Sequence, residues 1–285
     1  MKQKIKTAID CGRCRDKKYV FSNKKGKVQA EPCTCFQCKF CEGSRRIFDE
    51  TPEGLSKIKE CECSELFKRM SLFNQAGVPG KFVHEDFSSY LVDPPQHRTQ
   101  KNALLNSKKF IKDYVDRKGQ YSQGLIYMGA PGLGKTHIVV SIIKELVMQY
   151  GVECKFVDFF ELLRDIRHGY GEDISEKDFI DPYVGVKVLV IDELAKGRNT
   201  DWEITILDHF ISTRYNDDDK VTLVTTNFSD KVENCLTPPS GRNDKQGLSN
   251  AYARFSLEEK IGARIHSRLM EMCKKINLEG TDYRR

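Results

Sequence analysis

The sequence predicts an α/β protein in which a parallel sheet, covered by helices, follows a small cysteine-rich domain. Three observations carry this prediction. A short apolar strand runs into a glycine-rich loop and an apolar helix at residues 124–147, two further apolar strands at 187–193 and 221–227 end in polar residues, and eight of the eleven cysteines lie within residues 11–63. Short apolar runs that alternate with helical segments are typical of buried parallel strands.

The composition is that of a globular protein with one good core and a small accessory domain. The 285 residues are 39% hydrophobic and 31% charged. No apolar run approaches the roughly 20 residues that a membrane helix needs. No apolar segment follows the basic start of the chain, so a secretory signal is not expected. We therefore expect a cytoplasmic protein.

The positive charge is concentrated at the beginning of the chain. Residues 1–70 hold 17 lysines and arginines against 10 acidic residues, and the whole chain has a net charge of +6. Such an excess is typical either of a solvated basic face or of a surface for nucleic acid or an acidic partner. Thiolates that hold divalent metal ions would remove part of this excess, which weakens the case for nucleic acid at this domain.

The eight clustered cysteines form a tandem repeat. In each copy 18 or 19 residues separate a Cys-x-x-Cys pair from a Cys-x-Cys pair. The apolar pairs Val20-Phe21 and Ile47-Phe48 fall at the same offset. Four thiolates suit a tetrahedral zinc ion, and a unit of about 25 residues needs such a metal because it cannot build an adequate core. The sequence therefore predicts two structural zinc ribbons. The predicted ligands are Cys11, Cys14, Cys33 and Cys35 in the first copy and Cys38, Cys41, Cys61 and Cys63 in the second.

Three alternatives to this zinc assignment stay open. The ligand pairs could be exchanged between the two copies, the same thiolates could hold an iron–sulfur cluster, or the cysteines could be reduced structural thiols. If zinc is bound, four thiolates leave no open coordination position. We therefore expect the metal sites to be structural and not catalytic.

Breaks in the pattern divide the chain into three parts. Residues 1–70 are predicted as the metal-binding domain, residues 71–102 as a helix and linker, and residues 103–285 as the nucleotide domain. The helix that follows the last clustered cysteine is broken by the glycines and the proline of residues 76–80.

Residues 129–136 read Gly-Ala-Pro-Gly-Leu-Gly-Lys-Thr, which fits the phosphate-binding pattern G-x-x-x-x-G-K-[ST]. The pattern lies between an apolar strand and a helix with a broad apolar face, which is the context that it requires. Its glycines let the backbone approach phosphates, and N–H groups at the helix N-terminus point at the anion. Lys135 is expected to reach the β- and γ-phosphates. The predicted nucleotide-binding residues are Gly129, Pro131, Gly132, Gly134, Lys135, Thr136, His137 and Asp192.

Two carboxylates, Asp192 and Glu193, end the second strand. We expect Thr136 and Asp192 to hold Mg²⁺, and Glu193 to orient or activate the water that attacks the γ-phosphate. Asn227, at the end of the third strand, is a candidate for contact with that phosphate or water, although an asparagine there is also typical of a loop. Lys135, Asp192, Glu193 and Asn227 are thus predicted to act in ATP hydrolysis.

These motifs, in this order, resemble the AAA+ family that contains the helicase loaders DnaC and DnaI and the transposition helper IstB. The resemblance covers about residues 100–285, with a weaker match at Gln75–Ser88. Its later part includes a segment that resembles the family's box VII region and a closing motif. The matching segments are Gly129–His137, Val188–Leu194, Thr225–Asn227, Ser256–Leu269 and Gly280–Arg284.

The resemblance implies an AAA+ P-loop fold, which is a three-layer sandwich with the strand order 5-1-4-3-2 and Lys274–Leu278 as its last strand. It also implies that Asn227 is the sensor 1 residue. Arg268 would be an arginine finger that enters the ATP site of a neighbouring subunit, with Arg264 as the alternative; the plain interpretation of Arg268 is a solvated helix arginine. Few residues follow Arg268, so a full helical lid is not expected, and residues 230–256 look like an inserted loop.

The same resemblance implies an Mg²⁺-dependent ATPase that loads a DnaB-type replicative helicase, binds single-stranded DNA and self-associates through its ATP site. A zinc-bearing N-terminal domain resembles that of DnaI, which grips the helicase. Arg164, Arg167, His168 and Tyr170 lie where the family faces single-stranded DNA, although an exposed helix face has the same pattern. Two alternatives remain, a transposition helper that delivers a transposase and a zinc DNA-binding module whose P-loop senses nucleotide.

Overall fold

The computed structural model describes residues 11–50, 56–92, 98–120, 122–170, 175–230, 255–280 and 282. The chain is divided into two compact units, Met1–His84 and Glu85–Arg285. The basic start of the chain, most of the predicted inserted loop and the end of the closing motif lie outside the described residues. The domain limits predicted at residues 70 and 102 stay a prediction.

The first unit contains two antiparallel hairpins, one for each cysteine repeat. In the first hairpin β1 (Tyr19–Lys24) pairs with β2 (Lys27–Pro32), and in the second β3 (Arg46–Glu50) pairs with β4 (Ser56–Glu60). Relative to the cysteines, the strands pair in the same register in both copies. Each hairpin therefore joins a Cys-x-x-Cys turn to a Cys-x-Cys turn, which brings the four thiols of one repeat to the same end.

A helix, α1 (Cys63–Gln75), packs against β2 of the first hairpin. The ring of Phe73 is buried against Phe21, with 4.7 Å between ring centroids. A short 3₁₀ turn, Gly80–Phe82, completes the unit. The apolar core of so small a unit is limited, which is the physical reason to expect metal ions to stabilise it.

A five-stranded parallel sheet forms the centre of the second unit. Its strands are β5 (Gly124–Met128), β6 (Cys154–Asp158), β7 (Val188–Leu194), β8 (Val221–Thr226) and β9 (Cys273–Asn277). All neighbouring strands are parallel and lie in the order β6-β7-β8-β5-β9. If β5 to β9 are renumbered 1 to 5, this order, starting at the β9 edge, is 5-1-4-3-2. The predicted AAA+ topology is confirmed, with the last strand beginning one residue earlier than expected.

Helices lie on both faces of this sheet. They are α2 (Arg98–Asp116), α3 (Lys135–Tyr150), α4 (Phe159–Gly169), α5 (Glu176–Val184), α6 (Asp201–Tyr215), α7 (Leu257–Ile261) and α8 (Ala263–Met272). Ile126 and Ile191 share one core with residues of α4 to α8. Tyr127 lies on the other face of β5, where its hydroxyl is 2.6 Å from the Ser107 hydroxyl of α2. The predicted three-layer sandwich is confirmed. None of the helices in the described ranges combines the length and apolar character that crossing a bilayer requires.

A fully buried arginine of α6, Arg214, closes the end of the sheet opposite the glycine-rich loop. Its guanidinium donates to the carbonyl oxygens of Val184 (3.1 Å), Val186 (2.9 Å) and Val221 (2.6 Å) and to the Thr222 hydroxyl (2.9 Å). Burial lowers the pKa of Arg214 to about 10. A guanidinium carries five donors in a fixed fork, so one side chain joins the end of α5 to the beginnings of β7 and β8.

Candidate nucleotide site and metal centres

The glycine-rich loop connects β5 to α3 at the carboxyl end of the sheet. Gly129 has a φ of +145° and Gly134 a φ of +79°, which residues with a side chain rarely adopt. A Cβ atom at Gly129 would lie 2.2 Å from a backbone carbonyl oxygen, and one at Gly134 would lie 2.5 Å from the Tyr90 ring. Pro131 is half-buried and Gly132 is buried in the same loop. The glycines therefore allow a tight turn whose N–H groups can approach an anion.

Lys135, the first residue of α3, is buried and lies across its own loop. Its ammonium donates to the carbonyl oxygens of Gly129 (2.6 Å) and Ala130 (2.7 Å). A buried ammonium needs such partners because the loss of water is costly to a charged group. Triphosphate oxygens would be stronger acceptors than these neutral carbonyls, so the loop presents an ammonium that a nucleotide can recruit.

The glycine-rich loop and the acidic strand meet at Asp192. Its Oδ1 accepts hydrogen bonds from the hydroxyls of Thr136 (2.9 Å) and Thr225 (2.6 Å). Burial raises the pKa of Asp192 to about 6, although both hydrogen bonds favour the ionised form. A divalent cation would favour that form further, and hydroxyl and carboxylate oxygens are donors that Mg²⁺ accepts. The structure therefore brings together the two residues predicted to hold Mg²⁺, and their chemistry fits that ion.

Glu193 follows Asp192 in a conformation that residues with a side chain seldom adopt. Its φ is +55°, and the pairing of β7 with β8 shifts register at this point. The Glu193 N–H donates to the Thr225 hydroxyl (3.0 Å), and the Glu193 carboxylate pairs with the ammonium of Lys196. A bulge of this kind re-aims a side chain, and bulges are frequent next to active sites. Asn227 follows β8 directly and is half-buried, so it lies at the same end of the sheet as Glu193.

A strap formed by residues 85–92 lies over the start of α3. The Tyr90 hydroxyl donates to the Leu133 carbonyl (3.2 Å), and the rings of Tyr90 and His137 lie 5.1 Å apart between centroids. His137 Nε2 donates to the Asp86 carbonyl (2.8 Å). The His137 side chain therefore holds the strap, so a nucleotide contact from this residue would come from its backbone. The strap lies within residues 81–102, which the sequence predicts to be a linker or strapping segment, but its contacts with α3 could not be predicted from the sequence.

Arg268 of α8 is held within its own chain. Its guanidinium donates to the Asp208 carboxylate (3.1 Å) and to the Ser212 hydroxyl, both on α6, and lies 5.4 Å from the centroid of the Tyr215 ring. The Arg268 side chain is 23% exposed, whereas the Arg264 side chain is 70% exposed, with 3.8 Å between its guanidinium and Asp208. Arg264 is therefore the more exposed of the two, and the choice of an arginine finger between them stays a prediction.

Arg167 and Tyr170 join α4 to α6. The Arg167 guanidinium lies 4.7 Å from the centroid of the Trp202 ring and bonds a buried carboxylate of α6 at 2.8 Å. Trp202 Nε1 donates to the Tyr170 hydroxyl at 2.9 Å. These contacts give Arg167 and Tyr170 a structural role. Arg164 and His168 are also exposed on α4, and Arg164 lies 3.5 Å from the Glu161 carboxylate. Contact of any of the four residues with DNA stays a prediction.

The eight clustered cysteines form two compact groups, one for each repeat. The thiol sulfurs of a group all lie within 4.8 Å of one another. The first group contains Cys11, Cys14, Cys33 and Cys35, and the second contains Cys38, Cys41, Cys61 and Cys63.

The distances between these sulfurs fit one metal ion in each group. Sulfurs from opposite pairs lie 3.4–3.8 Å apart in the first group and 3.5 Å apart in the second. Tetrahedral zinc with bonds of about 2.3 Å separates its sulfurs by roughly 3.8 Å, whereas a disulfide needs about 2.05 Å. The four sulfurs that lie close together come from the same repeat, so an exchange of ligand pairs between the two repeats does not fit this geometry. An iron–sulfur cluster distributes its four thiolates over two or four iron ions, so it would hold some of these sulfurs farther apart than 4.8 Å.

Comparison with known proteins gives matches for most of the second unit. Residues 96–232 match the family of the IstB-like ATP binding protein. The chain is similar to the uncharacterized protein YqaM of Bacillus subtilis (strain 168), with 27% identity over 162 residues, which are 55% of this chain and 50% of YqaM. It is also similar to the replicative helicase loader DnaC of Escherichia coli (strain K12), with 22% identity over 148 residues, 52% of this chain and 57% of DnaC. The chain thus spans about half the length of these two relatives.

Two solved structures share the fold of this chain. The crystal structure of the DnaC helicase loader has a TM-score of 0.54 and 25% identity, and the match covers 70% of this chain and 99% of that chain. The crystal structure of the DnaI has a TM-score of 0.51 and 22% identity, over 71% of this chain and 95% of that chain. Both likenesses agree with the α/β fold of the second unit.

Proposed function

We propose that this chain, whose second unit is an AAA+ domain of the DnaC/IstB-like family, is an ATP-dependent loader of a replicative helicase. The hydrogen bond between Thr136 and Asp192 carries the proposal. It joins the phosphate loop to the acidic strand in a domain whose fold matches a helicase loader over 99% of that chain. The proposal includes a cytoplasmic location, self-association and binding of single-stranded DNA, for which Arg164 and His168 are candidates.

The proposed site holds MgATP between the glycine-rich loop and the acidic strand. The loop N–H groups and Lys135 would bind the phosphates, and Thr136 and Asp192 would hold Mg²⁺, which neutralises charge on the phosphate oxygens. Glu193 would orient the attacking water from the bulge at the end of β7. Lys196 restrains the Glu193 carboxylate, and Asn227 offers a second polar group at the same end of the sheet.

Hydrolysis is proposed to need an arginine from a neighbouring subunit. Arg268→Ala and Lys135→Ala proteins, each inactive alone, should regain about a quarter of the wild-type turnover when mixed in equal amounts, because random assembly pairs an intact site with an intact arginine at that frequency. Phosphate release measured across mixing ratios tests this. If the mixture of Arg264→Ala with Lys135→Ala recovers turnover and the mixture of Arg268→Ala with Lys135→Ala does not, Arg264 is the arginine that acts on the neighbouring site. No recovery in either mixture would remove the trans arginine from the proposal.

The first unit is proposed to hold a DnaB-type replicative helicase. We expect the immobilised full chain, with ATP, to retain the helicase of its own organism, and a version that begins at residue 85 to retain less than about a tenth as much. A gel of the retained fraction measures this. Equal retention by both proteins would place the contact in the second unit. No retention by the full chain would contradict the loader function itself.

The match of residues 96–232 to the IstB-like family favours a second candidate, a transposition helper that delivers a transposase to DNA. The two candidates share the ATP site and differ in the partner. A transposase gene next to the gene for this chain, together with retention of that transposase in place of the helicase, would favour the second candidate.

A further inference from the structure

The two cysteine repeats place an apolar cross-strand pair at the same position of each hairpin. Phe21 pairs with Ala30 in the first hairpin, and Phe48 pairs with Ile58 in the second. Each phenylalanine follows the second cysteine of its repeat by the same number of residues, and Ala30 and Ile58 precede the third cysteine equally. The two pairs are therefore equivalent surfaces, and what covers one of them indicates what the other can bind.

In the first hairpin, α1 covers the pair. Phe73 of α1 is buried against the Phe21 ring, at 4.7 Å between centroids, and Ala30 is buried. The next residue, Asn74, bonds both backbone groups of Ala30. The Ala30 N–H donates to Asn74 Oδ1 (2.6 Å), and Asn74 Nδ2 donates to the Ala30 carbonyl (3.2 Å). The helix thus contributes an aromatic anchor and an amide that satisfies the free edge of the strand.

In the second hairpin the equivalent pair faces solvent. Phe48 is 76% exposed and Ile58 is 56% exposed. Within the described residues no helix covers them and no side chain bonds the edge of β4 at Ile58. Single exposed apolar residues are ordinary. Here, however, two large ones lie directly opposite each other, and the second copy has isoleucine where the buried first copy has alanine.

We infer that the Phe48–Ile58 face binds an amphipathic helix of a partner protein, with an aromatic or large aliphatic anchor followed by asparagine or glutamine. A second copy of this chain is the weaker occupant, because its own Phe73 and Asn74 are already engaged. Arg46 lies on the same side of β3 as Phe48 and is exposed, while its cross-strand neighbour Glu60 is paired with Lys68 at 2.5 Å. The expected partner is therefore defined by its apolar anchor and its amide, as in the contacts of Phe73 and Asn74 with the first hairpin. The inference concerns the first unit and does not depend on the ATPase assignment.

A helical peptide with the sequence of residues 64–75 is the probe for this surface, because it carries the Phe-Asn pair of α1. Fluorescence anisotropy with the zinc-loaded full chain should show saturable binding. Phe48→Ser and Ile58→Ser should each weaken the binding at least about tenfold, and a peptide with serine and alanine in place of its Phe-Asn pair should not bind. Leu105→Ser, which removes an exposed apolar side chain from α2, is the matched control and should bind as the wild type does.

The outcomes separate the possible occupants. Absence of binding to the wild type, or equal binding to wild type and Phe48→Ser, would overturn the inference, since equal binding means that the peptide displaces α1 from the first hairpin. Sedimentation tests whether a second copy of this chain occupies the surface. Self-association that Phe48→Ser abolishes would also overturn the inference. Metal content and hydrogen exchange of the hairpins establish that each variant is folded, and the two substitutions give independent readings.

Discussion

Replacing Glu193 with glutamine is expected to lower steady-state ATP turnover at least about a hundredfold, because a positioned general base contributes roughly that much or more. Glutamine keeps the size of the side chain but cannot accept a proton. Since Lys135, Thr136 and Asp192 are unchanged, ATP affinity should change less than about threefold. Phosphate release, with and without single-stranded DNA, and anisotropy of a fluorescent ATP analogue measure the two quantities.

Two controls make the Glu193→Gln result specific. Glu161→Gln alters an exposed glutamate in the first turn of α4 and should leave turnover unchanged. Lys135→Ala should lose nucleotide binding as well as turnover, because it removes the ammonium of the same chain that is predicted to bind the phosphates. Wild-type turnover in Glu193→Gln would contradict the role of Glu193. If the wild-type chain binds ATP without any turnover, the result would favour the alternative of a zinc DNA-binding module whose P-loop senses nucleotide.

The approach of Thr136 to Asp192 could be predicted from the sequence because the carboxyl ends of all strands of a parallel sheet lie at one edge of that sheet. Thr225 could not be predicted in the same way. In the sequence it is one residue of an apolar strand. Its hydroxyl reaches both Asp192 and Glu193 because the pairing of β7 with β8 shifts register between Ile191 and Leu194. A side-chain period of two does not report such a shift.

The buried Arg214 shows a second limit of sequence reasoning. Arginine is mostly exposed in folded proteins, and nothing in α6 marks this residue as different. Its partners are carbonyls at the end of α5 and at the beginnings of β7 and β8, which come together through tertiary packing. Similarly, the helix after the last clustered cysteine is predicted by its apolar spacing, but the two hairpins have equivalent patterns. The sequence therefore does not tell which hairpin α1 covers.

Removing metal from the first unit is expected to unfold both hairpins while the parallel sheet of the second unit stays folded. Structural zinc in small domains contributes on the order of 10 kcal/mol at neutral pH, which exceeds what so small an apolar core supplies. Mass spectrometry should find two zinc ions for each chain. After treatment with a strong chelator, hydrogen exchange should lose its protection in β1 to β4 and keep it in β5, β7 and β8.

Single-ligand variants should show that the two metal centres are not equivalent. Cys33→Ser should lose one zinc ion and expose the first hairpin. Cys61→Ser should lose one zinc ion and lower protection in both hairpins, because Cys63 of the same centre is also the first residue of α1, whose Phe73 covers the first hairpin. Cys154→Ala, at a buried cysteine of the second unit, should keep both ions. Hairpins that retain their protection without metal would instead favour reduced structural thiols, since the apolar contacts of Phe21 and Phe73 would then be sufficient to hold the first hairpin.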